Sequence, residues 1–304
     1  MSLSPEQISR LLEHIGMPRD GRAQCDDLTY LRRLQRLHIQ RVPFASTTLH
    51  YSQDRRISVN LDEVFEKIVD RGHGGYCMEL NTLFAGLLRG LGYKIVTVAG
   101  RVSASTPVFS GQTHMGIIVT IEETRYLVDV GFGSPAAFQP LKMDISQPTI
   151  VPIIGTRLGK LEYTALDFFT DQSQRVWLYS MQLDPTAEFL PQFALSEQEM
   201  AERDFEAMNF YTSKNPKSFF VQNVVAMNIV CKGAEEDYAP EQIVTLFNDR
   251  VRFSVGNDVK EDKVVALTSE DHRISVLEEH FKIHLTERER KAILGHAQAL
   301  KNVH

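Results

Sequence analysis

The sequence is poor in cysteine and tryptophan and has no excess of positive charge. Its 304 residues include three cysteines, one tryptophan, and 33 basic against 39 acidic residues, for a formal net charge of −6. An odd number of cysteines without a CxxC pair argues against a disulfide framework and indicates the reduced thiols of a cytoplasmic protein. The acidic balance, with no basic stripe, argues against nucleic acid as a partner.

Long apolar runs and targeting signals are also missing. No run approaches the roughly 18 apolar residues that a membrane-spanning helix needs, so we expect no membrane partner. The start of the chain, residues 1–6, has neither a basic nor an apolar segment, which predicts no secretory signal. With 43% hydrophobic and 24% charged residues, the composition is that of a globular protein with a large core, and the length suggests two or more domains.

The spacing of apolar residues changes along the chain. Over the first 90 residues it favours helices, because Leu28, Leu31, Leu34 and Leu37 recur every three residues. The segment 77–91 is apolar around most of its circumference, which predicts a buried helix. From about residue 94, runs of β-branched and aromatic residues separated by proline and glycine indicate strands.

The later two thirds of the chain combine strands with a few helices. The predicted strands are 94–101, 114–121, 126–132, 161–169, 176–183, 219–231, 251–255 and 264–267. The predicted helices are a short one over 196–209 and two near the end, 273–284 and 286–300. Helices first, strands next and then a mixture predict an α+β protein of about three parts.

A glycine-rich segment stands directly before the predicted buried helix. It reads Arg71-Gly72-His73-Gly74-Gly75-Tyr76-Cys77-Met78-Glu79-Leu80-Asn81. Glycines let the backbone turn sharply and approach other groups closely. Cys77 then opens the helix, where the helix dipole favours a thiolate and unpaired N–H groups can bind an oxyanion. Cys77 is therefore a candidate nucleophile, and the alternative is a small buried residue at a helix start.

A cysteine nucleophile needs a base and a group that orients the base. His114 opens one predicted strand and Asp129 ends the next, with the short link Glu122-Glu123-Thr124 between them. If Glu122 and Glu123 are the central turn residues, Asp129 is a diagonal neighbour of His114 on one face of the sheet. A three-residue loop would put the two on opposite faces. Each alone also fits a structural role, but the order Cys, His, Asp is that of thiol acyl-transfer chemistry.

Together these segments resemble those of the arylamine N-acetyltransferases. Members share an Arg-Gly-Gly-x-Cys-x-Glu-x-Asn type motif, which here is 74–81 preceded by Arg71. The family's histidine segment resembles Thr113-His114-Met115, and its aspartate segment resembles 128–133. Further segments that resemble the family are 43–49, 208–211 and 216–220. Extra residues around 143–159 make the chain similar to the longer, fungal members.

The resemblance implies a fold and a division of the chain. The fold is α+β, with a cysteine core related to that of papain-like proteases and transglutaminases. Residues 1–92 would form a helical bundle carrying the nucleophilic cysteine, 93–207 a β-barrel carrying the histidine and aspartate, and 208–304 an α/β lid.

The resemblance also implies a ping-pong reaction. Cys77 would take an acetyl or malonyl group from acetyl-CoA or malonyl-CoA and pass it to the nitrogen of an arylamine, arylhydroxylamine or hydrazine. His114 would accept the proton and Asp129 would orient the imidazole. The partners would be acyl-CoA and a small amine or hydrazine, with no metal and no tightly bound cofactor.

Ligand contacts carry over from the family residue by residue. Positions that match CoA contacts are Ser110, Gly111, Tyr211, Lys217 and Ser218. Positions that match acceptor contacts are Phe44, Thr113 and Phe132. Structural alternatives stand beside them, such as a core aromatic for Phe132 and a solvated turn for Lys217. The chain departs from the family at 45–46, where Ala-Ser replaces the Glu-Asn of many members and removes a carboxylate near the expected site.

Two other functions fit the same residues. A thiol hydrolase or transglutaminase-like enzyme would use the same three side chains on peptides or amides. A non-enzymatic binding module would leave Cys77 unreactive towards iodoacetamide. Stoichiometric release of CoA from acyl-CoA in the absence of an amine, with acylation of Cys77, discriminates the acyltransferase from the hydrolase.

Overall fold

The first part of the chain is helical, as its apolar spacing predicts. The structure, a computed structural model, describes residues 1–18, 21–23, 25–133, 136–232, 239–256 and 262–300. The first elements are α1 (Pro5–Ile15), α2 (Asp27–Arg41), β1 (Phe44–Ala45), α3 (Thr48–Tyr51), α4 (Leu61–Phe65), a π-helical turn (Glu66–Asp70) and α5 (Cys77–Gly90). Apolar side chains from these helices meet in one core with the face of a neighbouring sheet.

Helix α5 is the predicted buried helix. Its side chains Leu80, Leu83, Phe84 and Leu87 are fully buried in that core. Burying one such side chain stabilises the fold by about 1.5–3 kcal/mol, so α5 is held firmly. Since Cys77 is the first residue of α5, this packing sets the position of its thiol.

An antiparallel sheet of eight strands follows. Its strands are β2 (Lys94–Val102), β3 (Gln112–Ile121), β4 (Thr124–Val128), β5 (Leu141–Lys142), β6 (Thr149–Pro152), β7 (Leu158–Thr164), β8 (Val176–Gln182) and β9 (Leu190–Glu199). They pair in the order β5-β4-β3-β2-β9-β8-β7-β6. The two edge strands, β5 and β6, contact each other, so the sheet curls into a nearly closed barrel. Trp177, Tyr179 and Phe193 fill its interior.

The hairpin between β3 and β4 has the register that a two-residue turn predicts. Ile121 lies opposite Thr124, and the pairing continues to the end of β4. Glu122 has a φ of 53°, the left-handed conformation that tight hairpin turns use. This confirms the register with Glu122 and Glu123 in the turn. It brings His114 and the residue after β4, Asp129, to one side of the sheet.

The last part of the chain builds a second sheet and covers it with helices. Its elements are α6 (Glu202–Lys214), α7 (Phe219–Gln222), β10 (Val225–Lys232), β11 (Ala239–Phe247), β12 (Arg250–Ser254), β13 (Lys263–Ala266), α8 (Glu270–Phe281) and α9 (Glu287–Ala292). The strand order is β1-β10-β11-β12-β13, so strand β1 from the helical part joins this sheet.

Several predicted elements are wrong or misplaced. The predicted helix over 196–209 begins as strand, because β9 runs on to Glu199 and pairs with both β2 and β8. The predicted strand over 219–231 begins as helix α7, and only β10 is strand. Strand β11 was not predicted. The strand predicted over 126–132 ends at Val128, the one over 161–169 at Thr164, and the helix over 286–300 is α9 alone.

Two further observations concern the parts of the chain that the structure describes. Within those ranges, no helix is both long and apolar enough to cross a membrane. The described cysteines, Cys25, Cys77 and Cys231, are all free of disulfides, as the sequence predicts.

Candidate active site

The loop before α5 packs against strand β1 by close backbone contacts. The Ala45 N–H donates to Gly75 O at 2.8 Å, and the Gly75 N–H donates to Pro43 O at 3.3 Å. A β-carbon at Gly74 would lie 2.2 Å from Pro43 O, which only glycine avoids. The glycines of the motif therefore serve the close approach that the sequence predicts.

A buried ion pair holds the first turn of α5. Glu79 Oε2 accepts the Tyr76 N–H at 3.1 Å, and Lys67 Nζ lies 2.6 Å from Glu79 Oε1. The Glu79 side chain is only 1% exposed, so burial raises the pKa of its carboxyl, and Lys67 and the Tyr76 N–H act against this. The pair fixes the backbone on the N-terminal side of Cys77.

The structure brings Cys77, His114 and Asp129 together, and we call them the Cys–His–Asp group. His114 Nε2 and Asp129 Oδ2 are 2.7 Å apart, and the Cys77 side chain lies near enough to the same imidazole to raise its pKa. Cys77 Sγ also lies 3.7 Å from Thr113 O. All three side chains are nearly enclosed, with exposures of 5%, 1% and 5%. Because Nε2 faces the carboxylate, Nδ1 is the ring nitrogen that remains for the thiol.

Asp129 is held by partners from three elements. Its Oδ1 accepts from Asn81 Nδ2 at 2.9 Å and from the Gly131 N–H at 2.8 Å. Asn81 Oδ1 accepts the Val130 N–H at 3.1 Å, and Gln35 Nε2 donates to Asp129 O at 3.2 Å. Asn81 belongs to the cysteine motif, whereas Gln35 lies on α2 and nothing in its local sequence marks it.

The electrostatics of the pair keep both groups charged. Burial alone lowers the pKa of His114, but the Asp129 carboxylate and the Cys77 side chain raise it to about 10. Burial alone raises the pKa of Asp129, but His114, Asn81 and the Gly131 N–H bring it below its usual value. A protonated imidazole beside a thiol favours the thiolate, so the arrangement can supply a sulfur nucleophile.

Aromatic rings enclose the imidazole. Phe132 and Phe193 lie 5.1 Å and 5.0 Å from the His114 ring and 4.6 Å from each other, between ring centroids. Tyr179 stacks on Phe193 at 5.0 Å. Phe132, predicted from the resemblance, thus lies beside the Cys–His–Asp group. Phe193 was not singled out, because the sequence analysis predicted no strand over 190–199.

The other predicted acceptor contacts lie around the thiol. Thr113 directly precedes His114, and its hydroxyl is 2.9 Å from Ser110 Oγ. Phe44 is buried on β1 and packs against Phe220 at 5.7 Å. Gly111 is exposed between Ser110 and β3. These residues stay predictions as ligand contacts, and the structure places them next to the Cys–His–Asp group or its loops.

The predicted CoA contacts on α6 and α7 lie further out. Tyr211 is 55% exposed and Lys217 is also exposed. Ser218 is buried and donates its hydroxyl to Thr212 O, which ties the start of α7 to the last turns of α6. Within the described residues, no printed contact joins these three side chains to Cys77, and their role towards CoA stays a prediction.

A separate contact links this region to the segment around Cys77. The Tyr76 hydroxyl donates to Asn209 Oδ1 on α6, and Asn209 Nδ2 donates to Ile57 O at 2.9 Å. Phe220 lies edge-on against Tyr76 at 5.5 Å. Tyr76 is fully buried and immediately precedes Cys77, so α6 and α7 pack directly behind the thiol.

The departure at 45–46 has a structural consequence. Ala45 and Ser46 are both fully buried. Ser46 Oγ accepts the Val225 N–H at 3.0 Å, which ties β1 to the start of β10. Ser46 therefore helps to join the helical part to the second sheet. Neither Ala45 nor Ser46 supplies the carboxylate that many members have at this place.

Within the described part of the chain, neither a cluster of metal-ligating side chains nor the Cys231 thiol offers an alternative reactive centre. In the described ranges, no three His, Cys, Asp or Glu side chains are grouped so that they could hold a metal ion. Burial raises the pKa of Cys231 to about 11, so that thiol stays protonated at neutral pH.

Comparison with known sequences finds relatives that match most of the chain. A family model described as N-acetyltransferase matches residues 27–290. The N-malonyltransferase FDB2 of Fusarium pseudograminearum is 33% identical over 288 residues, which are 88% of this chain and 81% of that protein. Arylamine N-acetyltransferase 1 of Homo sapiens is 28% identical over 230 residues, or 70% and 74% of the two chains.

Comparison with solved structures concerns the fold. The arylamine N-acetyltransferase from Mycobacterium abscessus superposes with a TM-score of 0.81 at 21% identity, covering 94% of this chain and 93% of that one. The Mycobacterium marinum enzyme in complex with CoA gives a TM-score of 0.73 at 22% identity, covering 93% and 96%. The predicted α+β fold is confirmed.

Proposed function

Because the chain belongs to the arylamine N-acetyltransferase family and is an acyl-CoA-dependent N-acyltransferase, we propose that it works through an acyl-cysteine at Cys77. The acyl group, acetyl or malonyl, comes from CoA, and the acceptor is the nitrogen of a small arylamine, arylhydroxylamine or hydrazine. The observation that carries the proposal is the 2.7 Å contact of His114 Nε2 with Asp129 Oδ2, with the Cys77 side chain near enough to the same ring to raise its pKa.

The first half-reaction acylates the enzyme. The Cys77 thiolate attacks the thioester carbonyl, and a bond forms between Sγ and the acyl carbon. The N–H groups at the start of α5 stabilise the oxyanion at the positive end of the helix. The bond to the sulfur of CoA then breaks, and the His114 imidazolium gives its proton to the departing thiolate.

The second half-reaction releases the product. The amine nitrogen attacks the carbonyl of acyl-Cys77, and the neutral His114 accepts the proton that the nitrogen loses. The carbon–sulfur bond breaks and restores the thiolate–imidazolium pair. Asp129 remains ionised throughout, holds the ring and stabilises the imidazolium. The half-buried Phe132 offers apolar surface for an aryl acceptor, and the buried Phe193 packs behind it.

The relatives favour testing malonyl-CoA beside acetyl-CoA. The curated relatives at 30–33% identity over most of the chain are described as N-malonyltransferases. The relatives described as arylamine N-acetyltransferases match at 27–30%. We therefore propose malonyl-CoA as a donor on equal terms with acetyl-CoA.

Intact mass measurement without an amine tests the mechanism. Incubation with equimolar acetyl-CoA and malonyl-CoA is expected to release one CoA per protein and to add one acyl group to Cys77. The mass of the adduct identifies the donor. Cys77→Ser is the matched control, and it should fold as the wild type does and remain unlabelled.

Two results would contradict the proposal. Normal turnover by Cys77→Ser would remove the acyl-cysteine from the pathway. Continuous CoA release in the absence of amine would make water the acceptor and favour the thiol hydrolase that shares the same three residues.

A further inference from the structure

Gln35 is a buried glutamine on α2 whose side chain reaches the segment that carries Asp129. Its side chain is 1% exposed, and Leu31 and Leu34 on the same helix are fully buried, so α2 is a firm support. The amide nitrogen, Nε2, donates to Asp129 O at 3.2 Å and to Ala137 O at 3.1 Å. Within the described ranges the amide oxygen, Oε1, has no protein partner, so these two donations are the polar contacts of the buried amide.

The peptide bond after Asp129 is held from both sides. Its carbonyl oxygen accepts from Gln35 on α2, and its N–H, that of Val130, donates to Asn81 Oδ1 on α5 at 3.1 Å. In a trans peptide bond the C=O and the N–H point in opposite directions within one plane, so the two side chains fix that plane from opposite sides. The direction in which the Asp129 side chain leaves the backbone is thereby set.

The same segment is pressed closely against α5. A β-carbon at Gly131 would lie 2.7 Å from Cys77 Cα and 2.9 Å from Asn81 Nδ2, so the backbone approaches the helix as closely as glycine allows. Movement towards α5 is blocked by this contact, and movement away from α5 would break the bonds from Gln35. Asp129 is therefore held between two helices.

The position of the Asp129 carboxylate matters because its contact with His114 is direct. Asp129 Oδ2 lies 2.7 Å from His114 Nε2, and a hydrogen bond of this kind depends strongly on distance and angle. Misplacing a catalytic group by about 1 Å can lower a rate by about 10²-fold. Gln35 bonds only the backbone of this segment, so any effect it has on the reaction passes through Asp129.

We propose that Gln35 is a positioning residue for acyl transfer: it ties two backbone carbonyls, one of them that of Asp129, to α2 and so holds the Asp129 carboxylate against His114. The inference rests on the proposed function, in which the His114 imidazolium gives and takes the proton. The two carbonyls lie on either side of Phe132 in the sequence, so the same bonds also support the ring that lies 5.1 Å from the imidazole.

Gln35→Met tests the proposal, because it removes both donors and keeps an unbranched side chain of similar length. In single-turnover acylation by acetyl-CoA, we expect the maximal rate to fall about tenfold to 10²-fold. The acetyl-CoA concentration for half-maximal rate should stay unchanged. Alkylation of Cys77 by iodoacetamide should need a pH about one unit higher for its half-maximal rate, because a less stable imidazolium favours the thiolate less.

Two further variants serve as the conservative change and the control. In Gln35→Glu the carboxyl, enclosed beside two carbonyl oxygens, should stay protonated and donate one O–H, so both readouts should lie between those of the wild type and Gln35→Met. Gln172 makes the same kind of contact between β7 and β8, where its Nε2 donates to Leu166 O at 3.2 Å and to Phe169 O at 2.5 Å. Gln172→Met should leave both readouts unchanged.

The outcomes separate the positioning role from the proposed function. If Gln35→Met fails to fold, Gln35→Glu alone decides the test. A folded Gln35 variant with the wild-type rate and alkylation profile overturns the positioning role, and so does a lower rate with an unchanged alkylation profile. Equal changes in Gln172→Met also overturn it. In all these cases an acylated wild-type Cys77 leaves the proposed function standing, whereas failure of acetyl-CoA and malonyl-CoA to acylate wild-type Cys77 contradicts that function itself.

Discussion

A buried imidazole ordinarily loses its proton, because a charge is costly away from water. His114 is 1% exposed and yet has its pKa raised to about 10, since the Asp129 carboxylate 2.7 Å away and the Cys77 side chain outweigh burial. The state of the sulfur therefore depends on a carboxylate that does not touch it. The charge of one residue, Asp129, sets the chemistry of the other two.

Asp129→Asn tests this dependence with little change in side-chain volume. Without the carboxylate, burial dominates, and the pKa of His114 should fall from about 10 to 6.5 or below. Acyl transfer at pH 7.5 should drop by about 10²–10⁴-fold, the usual contribution of a positioned acid–base group. The His114 ring signals in an NMR pH titration and the rate of Cys77 alkylation by iodoacetamide report the change. An unaltered His114 titration in a folded variant would contradict the argument.

The residues of the site differ in how far the sequence predicts them. Cys77, His114 and Asp129 could be singled out because each sits at the end of a regular element whose local pattern is strong. Gln35 could not, since it lies on α2 and meets the Asp129 backbone only through the packing of distant segments. Phe193 could not be predicted either, because the sequence around it does not indicate that its ring packs against His114 and Phe132 from distant segments.

At the scale of elements, helix α5 carries the proposed nucleophile, Cys77, at an end that would otherwise fray. The Lys67–Glu79 pair and the Tyr76 N–H bond hold that end, and both side chains of the pair are largely buried, at 13% and 1% exposure. A buried pair is costly to break from one side, because the remaining charge has no partner. The position of Cys77 therefore depends on a residue from the π-helical turn.

Lys67→Met should destabilise the protein by about 3–5 kcal/mol and lower its melting temperature. Burial already raises the pKa of Glu79, and loss of the lysine raises it further. When the pKa of a carboxyl is higher in the folded state than in the unfolded state, the protein loses stability as the pH rises towards the folded-state pKa. The loss of stability caused by Lys67→Met should therefore be larger at pH 8 than at pH 5.

The double variant Lys67→Met/Glu79→Gln is the matched control. The amide keeps an acceptor for the Tyr76 N–H and removes the unpaired charge, so most of the stability should return. A double variant as unstable as Lys67→Met would show that packing, rather than the buried charge, causes the loss.

Elements were predicted best where local pattern and tertiary pairing agree. The β3–β4 hairpin has a short turn and clear strand residues, so its register followed from the sequence. The segment after Ser196 is rich in glutamate and glutamine, which favour helix, yet pairing of Leu195 with Trp177 and of Glu199 with Val98 extends β9. The run Phe219-Phe220-Val221 favours strand but forms α7 after a Ser218 N-cap.

At the scale of the whole molecule, the first and last parts of the chain are joined in two places. Strand β1 is the edge of the second sheet, with Phe44 opposite Met227. The Tyr51 hydroxyl meets Glu270 and Arg273 in a buried network, and Arg273 is fully enclosed. The division into 1–92, 93–207 and 208–304 remains a prediction, and these contacts lead us to expect a single cooperative unfolding of the first and last parts.

Buried histidines should make the free energy of unfolding depend on pH, both below and above pH 6.5. Burial lowers the pKa of His38 to about 3, and burial lowers that of His50 to about 4 against its two carbonyl partners. Unfolded, both bind a proton near pH 6.5, so stability falls as pH drops from 6.5 towards 4. His114 has the opposite shift, so its contribution is complete below pH 6.5 and is lost as pH rises towards about 10.

Melting temperatures measured from pH 5 to pH 9 should therefore pass through a maximum near pH 6.5. Each of these histidines changes the free energy of unfolding by about 1.4 kcal/mol per pH unit where only one state holds the proton. His50→Gln keeps a neutral polar side chain and should flatten the acid side only. His114→Gln should flatten the alkaline side only, because it removes the group whose pKa is raised. A stability that rises steadily to pH 9 in the wild type would contradict the imidazolium at His114, and with it the ion pair on which the thiolate depends.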